Sequence, residues 1–154
     1  MLSLTVAAPK MVDELDLSEG KVVSAASLDK NQLEDLLWKG ASTVFLQEAA
    51  VRLLIKHGYW LHQEAFLGFV KIFHNPTEMA GIQWESALSA LDDGQLSADH
   101  EQASILRIAG SICTFYRLSL RDVVEGIDQD NIGYIAEAIM YADGFLASTA
   151  IPKP

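Results

Sequence analysis

The closest match to a ligand site in this chain is the stretch 128–139. Asp128, Asp130 and Gly133 stand where a calcium-binding EF-hand loop carries two of its oxygen ligands and its sharp bend. That loop also needs an oxygen ligand at its fifth position and a bidentate glutamate at its twelfth, and this chain has Ile132 and Ile139 there. An aspartate cap in front of a glycine-containing helix explains the same residues, so we predict no metal site.

The four histidines do not have the spacing of metal ligands. The zinc signature on a helix places two histidines four positions apart on one face, whereas His57 and His62 are five apart and separated by Gly58. No nucleophile elbow, phosphate loop or dinucleotide fingerprint is present in the sequence. We therefore predict no cofactor and no catalytic residue. An enzyme is disfavoured, although a site assembled from distant residues leaves no motif.

Cys113 lies in the most apolar part of the chain, where a small buried side chain is its ordinary role. No basic residue lies near it on the same helical face to activate a thiolate. It could instead touch a ligand in an internal apolar pocket lined by aromatic side chains, for which the candidates are Trp60, Phe66, Trp84, Phe115 and Tyr116. Aromatic residues also seal core edges and anchor interfaces, and the sequence leaves these uses open.

The formal net charge of −10 excludes whole classes of partner. An acidic chain repels nucleic acid and anionic membrane surfaces, so we predict neither as a partner, although a basic protein remains compatible. One region is basic, and it provides a candidate interaction patch: Arg52, Lys56, His57, Lys71 and His74. The alternative is that these cations complement the dipoles of the helices that carry them.

The expected compartment is the cytoplasm. A single cysteine cannot form an intramolecular disulfide. The stretch 1–16 lacks the basic start and long apolar run of a signal peptide, and no stretch reaches the roughly 20 apolar residues of a membrane span.

Over most of the chain, apolar residues recur at the spacing of an α-helix. In 98–116, polar residues recur every three or four positions and apolar residues cover the remaining faces, as in a largely buried helix. We predict a predominantly all-α, single-domain bundle of five to seven helices around this central helix. The helical domain covers 27–146, a tail follows at 147–154, and 1–26 is either a short β-hairpin or disordered.

The other predicted helices are bounded by caps and glycines. One ends at Gly40, the next begins at Ser42 or Thr43 and closes at Gly58, and a third covers Tyr59–Phe73. Further segments begin at Asn75, run over Gln83–Leu91 and follow Ser119. The last helix, Asn131–Asp143, is capped by Asp128 or Asp130 and is predicted to turn five apolar residues inward: Ile132, Ile135, Ala136, Ile139 and Met140.

These features favour a small acidic cytoplasmic protein without enzymatic activity. It would act as an interaction or regulatory protein, through a protein partner or through its own dimer. The alternative hypothesis is a helical small-molecule-binding module or enzyme with the internal apolar pocket described above.

Overall fold

A computed structural model describes residues 23–144 of the chain. Within them the fold is predominantly helical, as the periodicity predicted, with seven α-helices and one two-stranded antiparallel sheet. The hairpin or disorder was expected over 1–26; residues 1–22 of this stretch and the tail 147–154 lie outside the described residues, and Ala25–Ser27 forms a 3₁₀ turn. In chain order the elements are α1 (Lys30–Ala41), α2 (Phe45–His57), α3 (Glu64–Leu67), β1 (Val70–Phe73), β2 (Met79–Ile82), α4 (Trp84–Asp92), α5 (His100–Cys113), α6 (Leu120–Val124) and α7 (Gln129–Ala142), with 3₁₀ turns at Ala25–Ser27 and Trp60–His62.

Aspartates begin three of the longer helices. The carboxylates of Asp29 and Asp99 each accept a hydrogen bond from the backbone N–H three residues on, and the side-chain oxygen of the glutamine at that position accepts one from the aspartate N–H. Asp128 caps α7 by accepting from the N–H of Asn131 at 2.8 Å. The helix α5 therefore begins at His100, two residues after the start of the predicted range 98–116.

The core is built around α2 as much as around α5. Every residue of 48–55 in α2 is buried, and this helix packs against α1, α5, α7 and the turn Trp60–His62. The predicted central helix is buried as expected, with Ile105 and Leu106 fully enclosed. Since α2 contacts helices on several sides, charged residues in its sequence must also meet other elements.

The prediction of a single helix over Tyr59–Phe73 is wrong. The structure divides it into a 3₁₀ turn, the short helix α3 and strand β1, which pairs with β2 in the register Val70 to Ile82. Branched and aromatic side chains fit a pleated, half-buried surface, and this favours the strand once a partner strand is available. The helix predicted to begin at Asn75 is likewise absent, because that residue lies between the two strands.

A glycine explains how the hairpin joins the helical core. Gly40 was predicted to end α1, but it lies inside the helix. A Cβ atom there would overlap the carbonyl oxygen of Ala80 in β2. The missing side chain therefore lets α1 approach the strand backbone directly.

Candidate functional site

The six residues proposed to line a pocket are divided between the core and the surface. Trp60 and Phe66 are fully buried and pack with ring centroids 5.5 Å apart. The indole N–H of Trp60 donates to the carbonyl of Gln102 at 2.8 Å, which satisfies its polar group inside the core. These two residues fill space that a ligand would need.

The other four line two adjoining grooves beside α4. Phe115 and Tyr116 belong to a groove of about 560 Å³, and Trp84 and Cys113 to a smaller one of about 300 Å³. The larger volume is within the range of small-molecule sites, roughly 300–1,000 Å³. Both grooves are lined by Glu85 and Thr114; the larger also contains Leu88, Ser89, Asp92 and Asp93, and the smaller Gln47, Gln83 and Ser86.

The wall of the larger groove is a hydrogen-bonded cluster on Asp92. The hydroxyl of Tyr116 donates to the carboxylate, with oxygens at 3.0 and 3.1 Å, and Arg107 contacts it through Nε and Nη2 at 3.2 and 3.0 Å. Burial, followed by the bond to Asp92, raises the pKa of Tyr116. Burial opposes the charge of Arg107, but its bonds to Asp92 and Tyr116 raise its pKa. Asp92 is thus occupied in a structural contact.

Cys113 is not a nucleophile in this setting. Burial raises the pKa of its thiol to about 12, and the sulfur contacts the carbonyls of Ala109 and Gly110 at 3.5 and 3.7 Å. Attack requires the thiolate, which such a pKa keeps scarce at neutral pH. Phe115, two residues after Cys113, projects wholly into solvent, with a relative exposure of 102%. The grooves can hold a molecule but offer no activated group.

The predicted basic patch is not one surface. Arg52 is only 4% exposed, and it and Lys56 turn toward α7. Lys71 lies exposed on β1, and His74 beyond it approaches Glu78 at 3.7 Å. His57 is half-buried, and burial lowers its pKa against the opposing charges of three carboxylates: Glu101, Asp128 and Asp99.

Charged side chains instead join α2 to α7. Nη2 of Arg52 and Nζ of Lys56 donate to the two carboxylate oxygens of Glu137 at 2.9 and 2.6 Å. One turn away, the hydroxyl of Tyr141 donates to buried Glu48 at 2.9 Å. Residues at positions 48, 52 and 56 of α2 share one helical face, so they present a continuous polar strip.

Additional contacts complete this polar strip. The second carboxylate oxygen of Glu48 accepts from the backbone N–H of Thr43 at 3.1 Å. The guanidinium of Arg52 lies 5.7 Å from the centre of the Tyr141 ring, a cation–π distance. A buried charged group is stable only when its partners replace water, and these residues supply such partners.

This strip determines which face of α7 points outward, and the predicted orientation of the helix is wrong for four of its five residues. Only Ile135 is buried, while Ile132, Ile139 and Met140 are 39%, 53% and 43% exposed and Ala136 is exposed as well. We call the surface formed by Ile132, Gly133, Ala136, Ile139 and Met140 the outer face of α7.

A second spacing in the sequence points to the true inner face of α7. Asn131, Ile135, Ala138 and Tyr141 are separated by four, three and three positions, so they also form one helical stripe. Both stripes contain apolar residues. The inner stripe differs from the outer one in its polar groups, the hydroxyl of Tyr141 and the amide of Asn131. Each of them forms a hydrogen bond inside the protein.

Exposed apolar residues at the start of α2 lie beside the C-terminal end of α7. Phe45, at the start of α2, is 47% exposed and packs edge-on against Tyr141 with ring centroids 6.4 Å apart. Its neighbours Val44 and Leu46 are exposed to a similar degree.

The EF-hand-like residues do not form a cation site. Asp128 caps α7, and its second oxygen accepts from the side-chain amide of Asn131 at 3.1 Å. Over residues 23–144, no group of three or more histidine, cysteine, aspartate or glutamate side chains could hold a metal ion. None of the helices in that range is long and apolar enough to cross a membrane. No family model, curated protein or solved structure matches the chain.

Proposed function

We propose that this chain is a non-enzymatic interaction protein whose partner binds on the outer face of α7. The observation that carries the proposal is the set of large apolar side chains left in solvent there, Ile132, Ile139 and Met140. Single exposed apolar residues are ordinary, but a contiguous group along one helix is typical of a surface that another molecule covers.

The chemistry of the remaining groups supports a binding role. Asp92 is held by Arg107 and Tyr116, and Cys113 is kept protonated by burial. An interaction protein requires no activated nucleophile or base. We propose a cytoplasmic location, since the single thiol is kept within the fold and does not need an oxidising compartment.

Site-specific photocrosslinking in cells tests this proposal. A photoreactive amino acid at position 139 lies on the outer face of α7, and the same amino acid at Phe73 provides a matched control, because Phe73 is 51% exposed on β1. We expect a discrete protein adduct from position 139 that position 73 does not give. No adduct, or the same adducts from both positions, would refute the proposal.

A second candidate function is binding of a small molecule in the groove of about 560 Å³. It rests on the meeting of Tyr116 and exposed Phe115 with Glu85 and Asp93, which favours an apolar molecule carrying a positive charge. A screen of aromatic amines by thermal shift tests it. A ligand of this site should raise the melting temperature of the wild type but not that of Phe115→Ala.

A further inference from the structure

The outer face of α7 has the dimensions of a helix-binding surface. Its apolar residues span positions 132–140, which at 1.5 Å per residue is about 12 Å along the axis. Gln129 and Asp143 lie on the same face, at its two ends, about 21 Å apart. A second helix would cover the apolar residues with about two turns and the distance between the end residues with about four turns.

The shape of this face also suits a helix. Gly133 and Ala136 lie between the larger side chains, and a Cβ atom at Gly133 would meet nothing within 4 Å. Large apolar side chains at helical spacing on a partner can enter the space above these small residues while Ile132, Ile139 and Met140 flank them.

Among the described residues, the charged side chains of α7 and its two caps are all acidic. α7 contains no lysine or arginine. Asp128 and Asp130 are exposed at its N-terminal end and Asp143 at its C-terminal end. Lys56 of α2 is partly exposed, but its ammonium group is bound to Glu137. The C-terminal end of a helix itself favours a cation, and no basic residue of α7 occupies its last turn.

A second copy of this chain does not satisfy these charges. In a parallel pairing of two α7 helices Asp143 faces its own copy, which places carboxylate against carboxylate, and in an antiparallel pairing it faces Gln129, which supplies no cation. Each chain also carries a net charge of −10, which opposes the encounter of two copies.

We propose that the outer face of α7 binds a cationic amphipathic helix of a partner protein. Its apolar stripe covers Ile132, Ala136, Ile139 and Met140, and a lysine or arginine beyond each end of the stripe pairs with the aspartates at the ends of α7. This inference rests on the proposed function, because it names the kind of partner for the same surface.

Binding of two synthetic peptides to the full-length protein tests this inference. Each is a labelled 18-residue helix with a leucine and alanine stripe; one carries lysine at both ends of the stripe, and the other glutamate at the same positions. Fluorescence anisotropy at low and moderate salt measures binding. We expect the lysine peptide to bind at least about tenfold more tightly, with an advantage that falls as salt rises.

Neutral substitutions locate the binding site. Ile139→Gln removes apolar area without adding charge and should weaken binding of the lysine peptide about tenfold, whereas Phe73→Gln should leave it unchanged. The double change Asp130→Asn and Asp143→Asn should reduce the preference for lysine over glutamate several-fold and flatten the salt dependence.

Each alternative occupant gives a different result. Equal binding of both peptides, or lysine-peptide binding that Ile139→Gln leaves unchanged, overturns the inference. A salt-stable dimer that Ile139→Gln dissociates overturns it in favour of a second copy while leaving the proposed function intact. A fall in melting temperature for Ile139→Gln with unchanged peptide binding assigns the face to another segment of this chain. Failure of the proposed function itself shows as the absence of a specific crosslink from position 139.

Discussion

The two faces of α7 are the reverse of what the composition of the helix suggests. Its inner side meets α2 through the carboxylate of Glu137 and the hydroxyl of Tyr141. Its outer side presents Ile139 and Met140 to water. Charged and polar groups can lie inside because Arg52 and Glu48 on α2 satisfy them.

The exposure of apolar residues on the outer face of α7 has a structural cause. Once Glu48, Arg52 and Lys56 occupy one face of α2, the helix that covers them must bring acceptors and donors to that side. α7 does so with Glu137 and Tyr141, and Ile132 and Ile139 then have no internal position. Burial stabilises the inner face within the fold, whereas only another molecule can remove the outer face from water.

Breaking the inner face should have the largest effect. Glu137→Gln removes the carboxylate that accepts hydrogen bonds from buried Arg52 and from Lys56. We expect the free energy of unfolding to fall by about 3 kcal/mol, the lower end for a broken buried pair because Glu137 is partly exposed. Urea denaturation measures it.

An ion pair on α1 provides the control for that variant. Glu34→Gln removes the same charge from a pair with Lys30 at 3.6 Å, in which Glu34 is 14% exposed but the cation is 56% exposed to water, unlike buried Arg52. It should change stability by less than about 1 kcal/mol. Equal losses from the two variants would show that the α2–α7 network is no more important than an ordinary surface pair.

Acid should remove the difference between Glu137→Gln and the wild type. Burial alone would raise the pKa of Glu137, but hydrogen bonds and charge from Lys56 and Arg52 lower it below its ordinary value of 4.5. Its contribution to stability is therefore present above pH 4.5 and is lost as the pH falls through the pKa of the folded state. Urea denaturation across this range should show the curves converging. Curves that stay parallel would contradict a stabilising, ionised Glu137.

Removing one hydroxyl should have an intermediate effect. Tyr141→Phe keeps the ring between Arg52 and Phe45 but takes a donor from buried Glu48. We expect a loss of about 2 kcal/mol at neutral pH by urea denaturation. Tyr134→Phe on the same helix should cost less than about 0.5 kcal/mol.

Alkaline titration sharpens the result for Tyr141→Phe. Burial and the bond to Glu48 raise the pKa of Tyr141 above its ordinary value of 10.0. The wild type should lose stability as the pH rises through that raised pKa, and Tyr141→Phe should not lose this part. If both proteins weaken in parallel, the hydroxyl does not hold Glu48 as the structure shows.

Changing the outer face should have the smallest effect on folding. Ile139→Gln should alter the free energy of unfolding by less than about 0.5 kcal/mol, because residue 139 already faces solvent. Ala138→Gln, one position away and 1% exposed, should cost several times more because it overfills the contact with α2. Thermal and urea denaturation of both variants compare the two faces directly, and a large loss for Ile139→Gln would mean that the outer face is covered within the chain.

Much of the helical fold could be predicted from local signals. Asp128 was one of two predicted caps of the last helix, and its hydrogen bond to the first turn of α7 confirms it. Capping and 3.6-residue periodicity act over a few neighbouring residues, so they are visible in the sequence. Tyr59–Phe73 was predicted as a helix because its apolar spacing fits one. The strand β1 forms instead because β2 pairs with it and Gly40 lets α1 pack on the hairpin.

The candidate site could be predicted only in part. Trp84, Cys113, Phe115 and Tyr116 do line adjoining grooves, whereas Trp60 and Phe66 pack into the core. Side-chain type alone does not distinguish these positions, since an aromatic ring stabilises a core and a groove through the same apolar surface.

By itself the sequence determined the acidic charge, the helical character and the two apolar stripes of α7. Only the tertiary structure decided which stripe became the surface. Glu137 and Tyr141 lie far from Arg52 and Glu48 in sequence, and hydrogen bonds between them form only when α2 and α7 meet. A buried charge is tolerated only with such partners, so their pairing turned the outer face of α7 toward solvent.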